Sequence, residues 1–458
     1  MPTCIPVVTA GSAQAIRHIQ KISQRLAALE RLDSAEYRVR VKKIFGAVLR
    51  PEEVVARILA DVRRDGDAAL FDYARKIDGV ALSPKTVRVS DAERRAGFRR
   101  TAPATRAALE LAAERIADYQ TRLLPSDVPA RPAKAGPSGV RTGLNWSPLN
   151  RVGLCCPGQT AAYPSSVLMI AIPAIVAGVQ ELAVVTPCNR NLEINDAILC
   201  AFEIVKIREV YRVGGSQAVA ALAYGTKSIA PVDKIVGPGN LFVMLAKRAV
   251  FGQVDIDMLA GPSEVLVIAD SSADAEYVAA DLLAQAEHDK LCSCVLLTDS
   301  AKLAKAVAAE LTEQLKDLPR RSIAADALRN WGLIVVTRDI GQAVELANKL
   351  APEHLEIMTR SPRKWIPRIR AAGAIFVGPY ATEPLGDYVA GPSHTLPTGA
   401  TARAFSGLSV YSFLKRTSII EADAAGLDAL AEPISVLAAA EGLEAHRRAV
   451  VRRGKRRR

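Results

Sequence analysis

The sequence predicts an α/β fold with parallel sheets in more than one domain. Three observations carry that expectation. From about residue 151 onward, short β-branched runs alternate with helix-patterned stretches, as parallel strands joined by crossover helices do. A chain of 458 residues has room for roughly three domains at ~150 residues each. Hydrophobic residues at 50% and charged residues at 24% are ordinary globular values, which sets aside disordered, collagen-like and disulfide-scaffold classes.

Taken in order, "PEEVVARILADVRRDGDAALFDYARKI" from Pro51 and "TRAALELAAERIADYQTRL" from Thr105 carry apolar stripes of 3.6-residue period and predict helices. "LPSDVPARPAKAGPSG" from Leu124 is rich in Pro, Gly and Ala and reads as a linker or surface loop. The strand candidates follow: "RVGLCC", "ELAVVTP", "EVYRVGG", "DKIVG", "EVLVIAD", "CVLLTD", "GLIVVT", "HLEIM" and "GAIFVG". The closing "EPISVLAAAEGLEAHRRAVVRR" reads as one amphipathic helix. It follows a run with little strand signal, so an arm outside the sheets is expected.

Several function classes fall away. The longest apolar run, residues 167–179, is shorter than the ~20 residues of a membrane span and is interrupted by Pro173 and Gly178. The N-terminal stretch has no Lys or Arg ahead of its brief apolar run, unlike a secretory signal, so a cytoplasmic address is expected. Seven cysteines without a C-x-x-C pair argue against a disulfide framework and a thiolate zinc cluster. The net charge is +12, but "RRGKRRR" at 452–458 holds six of the basic residues, leaving +6 elsewhere. With aromatic residues at only 5%, the tail reads as a solvated end, and no specific nucleic acid is expected.

The chemistry-bearing residues are few. In "DLLAQAEHDKLCSC" the residues Gln285 and His288 are three apart, which on a helix places their Cβ atoms about 5–6 Å from each other. Four of the five histidines sit among polar, Gly- or Pro-rich neighbours. "APEHLEI" supplies Glu353 and His354, "GDYVAGPSHTLPTG" supplies Asp387 and His394, and "EGLEAHRRA" supplies Glu441 and His446. Imidazole, carboxylate and amide oxygen are donor types that suit Zn²⁺. Each also has a plain structural reading. His288 and His446 fit helix ends, Asp387 fits a turn, and His18 fits a helix surface. Successive strand residues point to opposite faces, so Glu353 and His354 share a site only where the backbone bends. Three glycine turns follow strand candidates, "VGGSQA", "VGPGN" and "AGPSE", and none is G-x-G-x-x-G. Backbone amides there can approach phosphate, and tight turns explain them equally well.

Together these segments resemble the histidinol dehydrogenase family. The matching stretches are "VGGSQAVAALAYGT", "VDKIVGPGN", "DMLAGPSEVLVIAD", "LLAQAEHD", "LAPEHLEI", "GAIFVGPYATEPLGDYVAGPSHTLPTG", "SVYSFLKRTSII" and "AEGLEAHRRAV", from about 151 to 450, with weaker likeness from 51. The resemblance implies two incomplete Rossmann-like domains with parallel sheets plus helical N- and C-terminal arms. The implied division is 1–50 as an N-terminal arm; 51–150 with 261–408 as the domain carrying zinc and the Glu-His pair; 151–260 as the nucleotide domain; and 409–458 as a C-terminal arm ending in the basic tail.

The resemblance further implies oxidation of L-histidinol to L-histidine with two NAD⁺ and one Zn²⁺ per subunit. It places the zinc ligands on Gln285, His288, Asp387 and His446, the last contributed by the other subunit of a homodimer. Glu353 and His354 become the catalytic pair. Substrate contacts fall on Ser263, Gln285, His288, His354, Asp387, Glu441 and His446, with His394 a further contact. Nucleotide contacts fall on Gln217, Asn240 and Cys155. Three departures stand out. The family's "GLYVPGG" is "GLCCPGQ" here, so Cys155 replaces a Tyr and Gln159 a Gly, and Ser393 replaces the Asn of "GPNH". A same-scaffold dehydrogenase for another polar alcohol, a zinc hydrolase using Glu353, and a nucleic-acid or scaffold protein using the tail are the competing readings.

Overall fold

The computed structural model describes residues 5–24, 34–134, 136–158, 163–259 and 261–455. Gln159 therefore lies outside the described residues. Two parallel sheets organise the chain. One has six strands in the spatial order Val7–Thr9, Leu333–Val336, Ser293–Thr298, Glu264–Ala269, His354–Met358 and Ala374–Val377. The other has five, Glu209–Tyr211, Glu181–Val185, Arg151–Cys155, Lys234–Val236 and Asp255–Ile256. Every neighbouring pair in both is parallel. The central strands Glu264–Ala269, Ser293–Thr298 and His354–Met358 are buried along their whole length because helices cover both faces, which is why they read as continuous apolar runs.

Each sheet is the middle of a three-layer sandwich. On the six-stranded sheet, helices Ala275–Ala286, Ala301–Gln314 and Arg321–Trp331 share one core, and helices Ala13–Ser23 and Ile340–Leu350 share the other. On the five-stranded sheet, helices Ala35–Phe45, Pro51–Asp65, Gly215–Tyr224 and Leu241–Val250 cover one face, and Pro103–Arg122, Pro164–Ala177 and Asp196–Ile204 the other. Residues 51–122 thus pack on the 151–260 sheet, whereas the expected grouping placed them with 261–408. Likewise Val7–Thr9 is an edge strand of the six-stranded sheet and not part of a detached N-terminal arm. An amphipathic stripe reveals which face a helix buries and is silent on which sheet receives it.

A third, antiparallel sheet joins Leu414–Ala422, Val140–Pro148 and Val128–Pro132. The sequence reading missed it: 124–139 read as a linker, and the run before the last helix showed little strand signal. The two outer strands are mostly exposed and the central one is half-buried without alternation, so none carries the apolar alternation that reveals a strand. The closing stretch is two helices, Ala424–Ala440 and Glu444–Lys455, broken at Gly442 with φ 71°. Among the described residues no helix is long and apolar enough to cross a membrane.

In both sheets strand order reverses between two neighbours, Glu264–Ala269 and His354–Met358 in one, Arg151–Cys155 and Lys234–Val236 in the other. The cleft lies between the carboxyl edge of the five-stranded sheet, where such switch points bind ligands, and the amino edge of the six-stranded sheet. Leu282, fully buried one turn before Gln285, anchors the helix that points into this cleft. Leu282→Ala is expected to cost about 2–5 kcal/mol. The shift of the urea midpoint measures it, and a loss below ~1 kcal/mol would show that this helix is not held there.

Candidate active site

A cleft of about 780 Å³ is lined from both halves. From the six-stranded side come Ser263, Gln285, His288, Glu353, His354, Glu383 and Asp387; from the other come Cys155, Gly214, Gly215, Gln217 and Asn240. Ten of the residues expected from sequence, His394 included, are therefore gathered around one space. Glu441 and His446 are not among its lining: they are exposed, Glu441 in the turn after helix Ala424–Ala440 and His446 on helix Glu444–Lys455.

Ala351 takes a left-handed φ of 47° just before Pro352, which supplies the bend that Glu353 and His354 need in order to face one site. Glu353 precedes the first residue of its strand, so strand alternation does not bind it. Both side chains then reach the backbone of the same residue, Glu264. The Glu264 amide donates to Glu353 Oε2 at 2.9 Å, and His354 Nδ1 lies 3.1 Å from the Glu264 carbonyl oxygen. A carbonyl can only accept, so Nδ1 carries the proton and Nε2 presents its lone pair. Nε2 is buried, has no hydrogen-bond partner among the described residues, and lies 3.8 Å from Asp387 Oδ1. Burial holds the His354 pKa below its ordinary value, outweighing the Asp387 charge, which raises it.

Gln285 is in the last turn of helix Ala275–Ala286, and the His288 amide donates to the Gln285 carbonyl at 3.2 Å, which keeps both side chains at one helix end. Gln285 Oε1 is buried without a partner among the described residues. Across the cleft, helix Glu383–Tyr388 carries Glu383 and Asp387 four residues apart, on one face. Donor atoms of His288, Glu383 and Asp387 all lie within 4.8 Å of one another. Ligands at ~2.1 Å from one zinc ion are at most ~4.2 Å apart, so this N/O set fits the ion after a small contraction. The unpaired oxygen of Gln285 and a buried, unpaired oxygen on Glu383 are what a cation would satisfy.

Glu383 was missed by the sequence reading. Its carboxyl is pushed well above the usual range, by burial first and the Asp387 charge second. The signal that could have found it is the i, i+4 pair of acids in "TEPLGDY", which repel on one helix face unless something positive lies between them. His394 also lines the cleft, with both ring nitrogens partnered. Its Nδ1 lies 3.0 Å from the Asp387 carbonyl oxygen and its Nε2 3.0 Å from Ser166 Oγ, so both ring nitrogens are engaged in holding the Asp387 loop. Ser393 continues that attachment, donating to the Met169 carbonyl at 3.0 Å.

On the side of the five-stranded sheet, Asn240 Oδ1 caps helix Leu241–Val250, accepting from Phe242 and Val243 amides at 3.1 and 3.2 Å. Its amide N–H groups remain to donate. Gln217 Nε2 donates to Asp78 Oδ2 at 2.9 Å. Cys155 is buried at the end of its strand, where burial pushes its thiol up to about 12, so it is a neutral, nonreactive wall of the cleft.

Fold and cleft together define an α/β enzyme in which a buried imidazole and a carboxylate share a cleft with the glycine turns of a Rossmann-like half. A family model described as histidinol dehydrogenase matches residues 47–454. The histidinol dehydrogenase of Moorella thermoacetica is 52% identical over 408 residues, covering 88% of this chain and 95% of that protein. That of Rhizobium meliloti is 49% identical over 397 residues, covering 87% and 90%. The crystal structure of histidinol dehydrogenase from Elizabethkingia anophelis superposes with a TM-score of 0.89 at 32% identity and 99% coverage of each chain. The chain belongs to the histidinol dehydrogenase family.

Proposed function

We propose that this chain is a zinc-dependent enzyme that oxidises L-histidinol through histidinaldehyde to L-histidine with two NAD⁺ per turnover, as a cytoplasmic homodimer. The observation that carries the reading is the His354 ring: its proton is fixed on Nδ1 by a backbone carbonyl, and Nε2 is bare in a cleft that also holds an N/O donor set. When bound, NAD⁺ would serve as the hydride acceptor, and Zn²⁺ would orient the substrate's nitrogen atoms and supply positive charge beside them. Gln285, His288 and Asp387 would hold the ion, with His446 of the partner subunit.

His354 Nε2 takes the hydroxyl proton as hydride leaves the alcohol carbon, giving the aldehyde. Glu353, its Oε2 fixed by the Glu264 amide, then takes a proton from the water that adds to the aldehyde carbon. The hydrate gives up a second hydride and a second hydroxyl proton, which leaves the carboxylic acid. Four electrons pass in two pairs. Ser263 lines the substrate side, while Gln217, Asn240 and the Cys155 wall bound the nucleotide side within the 151–260 half. Without the aromatic face that the family has at the Cys155 position, weaker nucleotide stacking is expected.

Exposed apolar residues on the C-terminal segment, Ile420 at 77%, Val436 at 62% and Leu437 at 64%, support a partner subunit that covers it and receives Glu441 and His446. NADH absorbance on mixing L-histidinol and NAD⁺ tests the function. Absence of NADH with histidinol, beside steady turnover of an unrelated diol, would assign the scaffold to another alcohol. The pH profile tests His354. Because burial depresses its pKa below the ordinary 6.5, the neutral base persists to lower pH, and kcat/KM is expected to fall only on acidification below about 6.5. An acid limb above pH 7 would exclude His354 as the base.

A further inference from the structure

The zinc set implied by the family resemblance takes its fourth ligand from another subunit, yet one chain already brings a fourth donor to the site. Glu383 and Asp387 occupy the same face of one short helix, and Glu383 is 1% exposed with Oε2 lacking any partner among the described residues. Gln285, also 1% exposed, offers a second buried and unpartnered oxygen in the same cleft. Two buried oxygen donors without partners, beside an imidazole, are costly in an empty site and are satisfied together by one cation.

The surrounding structure holds Glu383 where it is. The Glu383 amide donates to Glu356 Oε1 at 3.1 Å, and the Thr382 hydroxyl donates to Asp281 Oδ1 at 2.5 Å. Asp281 lies on helix Ala275–Ala286 one turn before Gln285, so this contact ties the start of the Glu383 helix to the helix that presents Gln285 and His288. The two donor-bearing helices are thereby fixed to each other inside one subunit. His446, in contrast, is exposed on its own chain and has to arrive from elsewhere.

We propose that Glu383 is a metal ligand, completing with Gln285, His288 and Asp387 a four-donor set within one chain that retains the ion without His446 of the partner subunit. A carboxylate in place of an imidazole makes the intrachain set N1O3, a harder set than the N2O2 set formed with the partner's His446. The subunit is therefore metal-loaded before the arm arrives, and the arm tightens an ion already held. This inference rests on the zinc reading above and goes beyond its ligand assignment.

The test uses the full-length chain as wild type, His446→Ala, Glu383→Gln and the double variant. Zinc per chain after dialysis, zinc affinity by competition with a chromophoric chelator, and the visible spectrum of the Co²⁺-substituted protein are measured. His446→Ala is expected to keep about one zinc per chain at reduced affinity. Adding Glu383→Gln to it should lower affinity by roughly tenfold or more and change the Co²⁺ bands, at least the effect of losing a group that only orients a ligand. Metal-free Glu383→Gln should unfold at no lower temperature than metal-free wild type, which separates lost ligation from lost folding. A double variant that binds zinc as tightly as His446→Ala, or a Co²⁺ spectrum unaltered by Glu383→Gln, overturns the proposal while leaving the zinc reading intact. Loss of all zinc from His446→Ala alone also overturns it. Wild-type protein that binds no zinc at all overturns both.

Discussion

Glu353→Gln is expected to stop the reaction halfway. On the proposed mechanism the first hydride transfer requires only removal of the hydroxyl proton by His354, whereas the second requires water to be added to the aldehyde. Glutamine keeps the volume and can still accept the Glu264 amide hydrogen bond that fixes Glu353 now. It cannot take a proton. In a single turnover the variant should therefore release about one NADH per site at near the normal rate, and the following phase should slow by ~10²–10⁴-fold, the usual worth of a positioned base. Two NADH per site at unchanged rates would remove Glu353 from the chemistry. His354→Ala should instead slow the first phase, so the two variants are separable by phase as well as by total rate.

Metal removal is the second large effect. An ion that orients the substrate and carries positive charge beside the reacting carbon contributes several kcal/mol, which corresponds to a loss on the order of 10³-fold when it is stripped. Dialysis against a chelator, with metal loss verified by elemental analysis, should abolish turnover, and Zn²⁺ should restore it. The donors proposed for the ion are poorly satisfied without it: Gln285 Oε1 and a Glu383 carboxyl oxygen are buried and lack partners among the described residues, and half-buried Asp387 lies 3.8 Å from His354. The stripped protein is accordingly expected to be less heat-stable than the loaded one. Full activity in verified metal-free protein would refute any role for the ion.

Much of the fold and site is legible in the sequence, and the gaps have physical causes. The parallel strands are visible because burial on both faces forces β-branched runs such as Glu264–Ala269. Gln285 and His288 are visible because a spacing of three on a helix leaves few uses for an amide beside an imidazole. Glu383 escaped because an acid in the first turn of a helix is common and favourable, so its burial and its unpartnered oxygen could only be read in three dimensions. His394 showed the reverse. It stands in a polar, glycine-rich loop like a ligand, yet both its nitrogens are consumed by Ser166 and the Asp387 carbonyl. The antiparallel sheet and the packing partner of residues 51–122 were illegible for a shared reason. Exposed strands carry no burial pattern, and an apolar stripe does not name the surface it covers.

The most direct measurement is the yield of NADH per molecule of L-histidinol when the alcohol is limiting and NAD⁺ is in excess. Two NADH per histidinol, with L-histidine as the only product, is the result expected if, as proposed, His354 and Glu353 together carry the alcohol through the aldehyde to the acid. One NADH with aldehyde remaining would reduce the site to a simple alcohol dehydrogenase, and none would contradict the assignment of this cleft to histidinol.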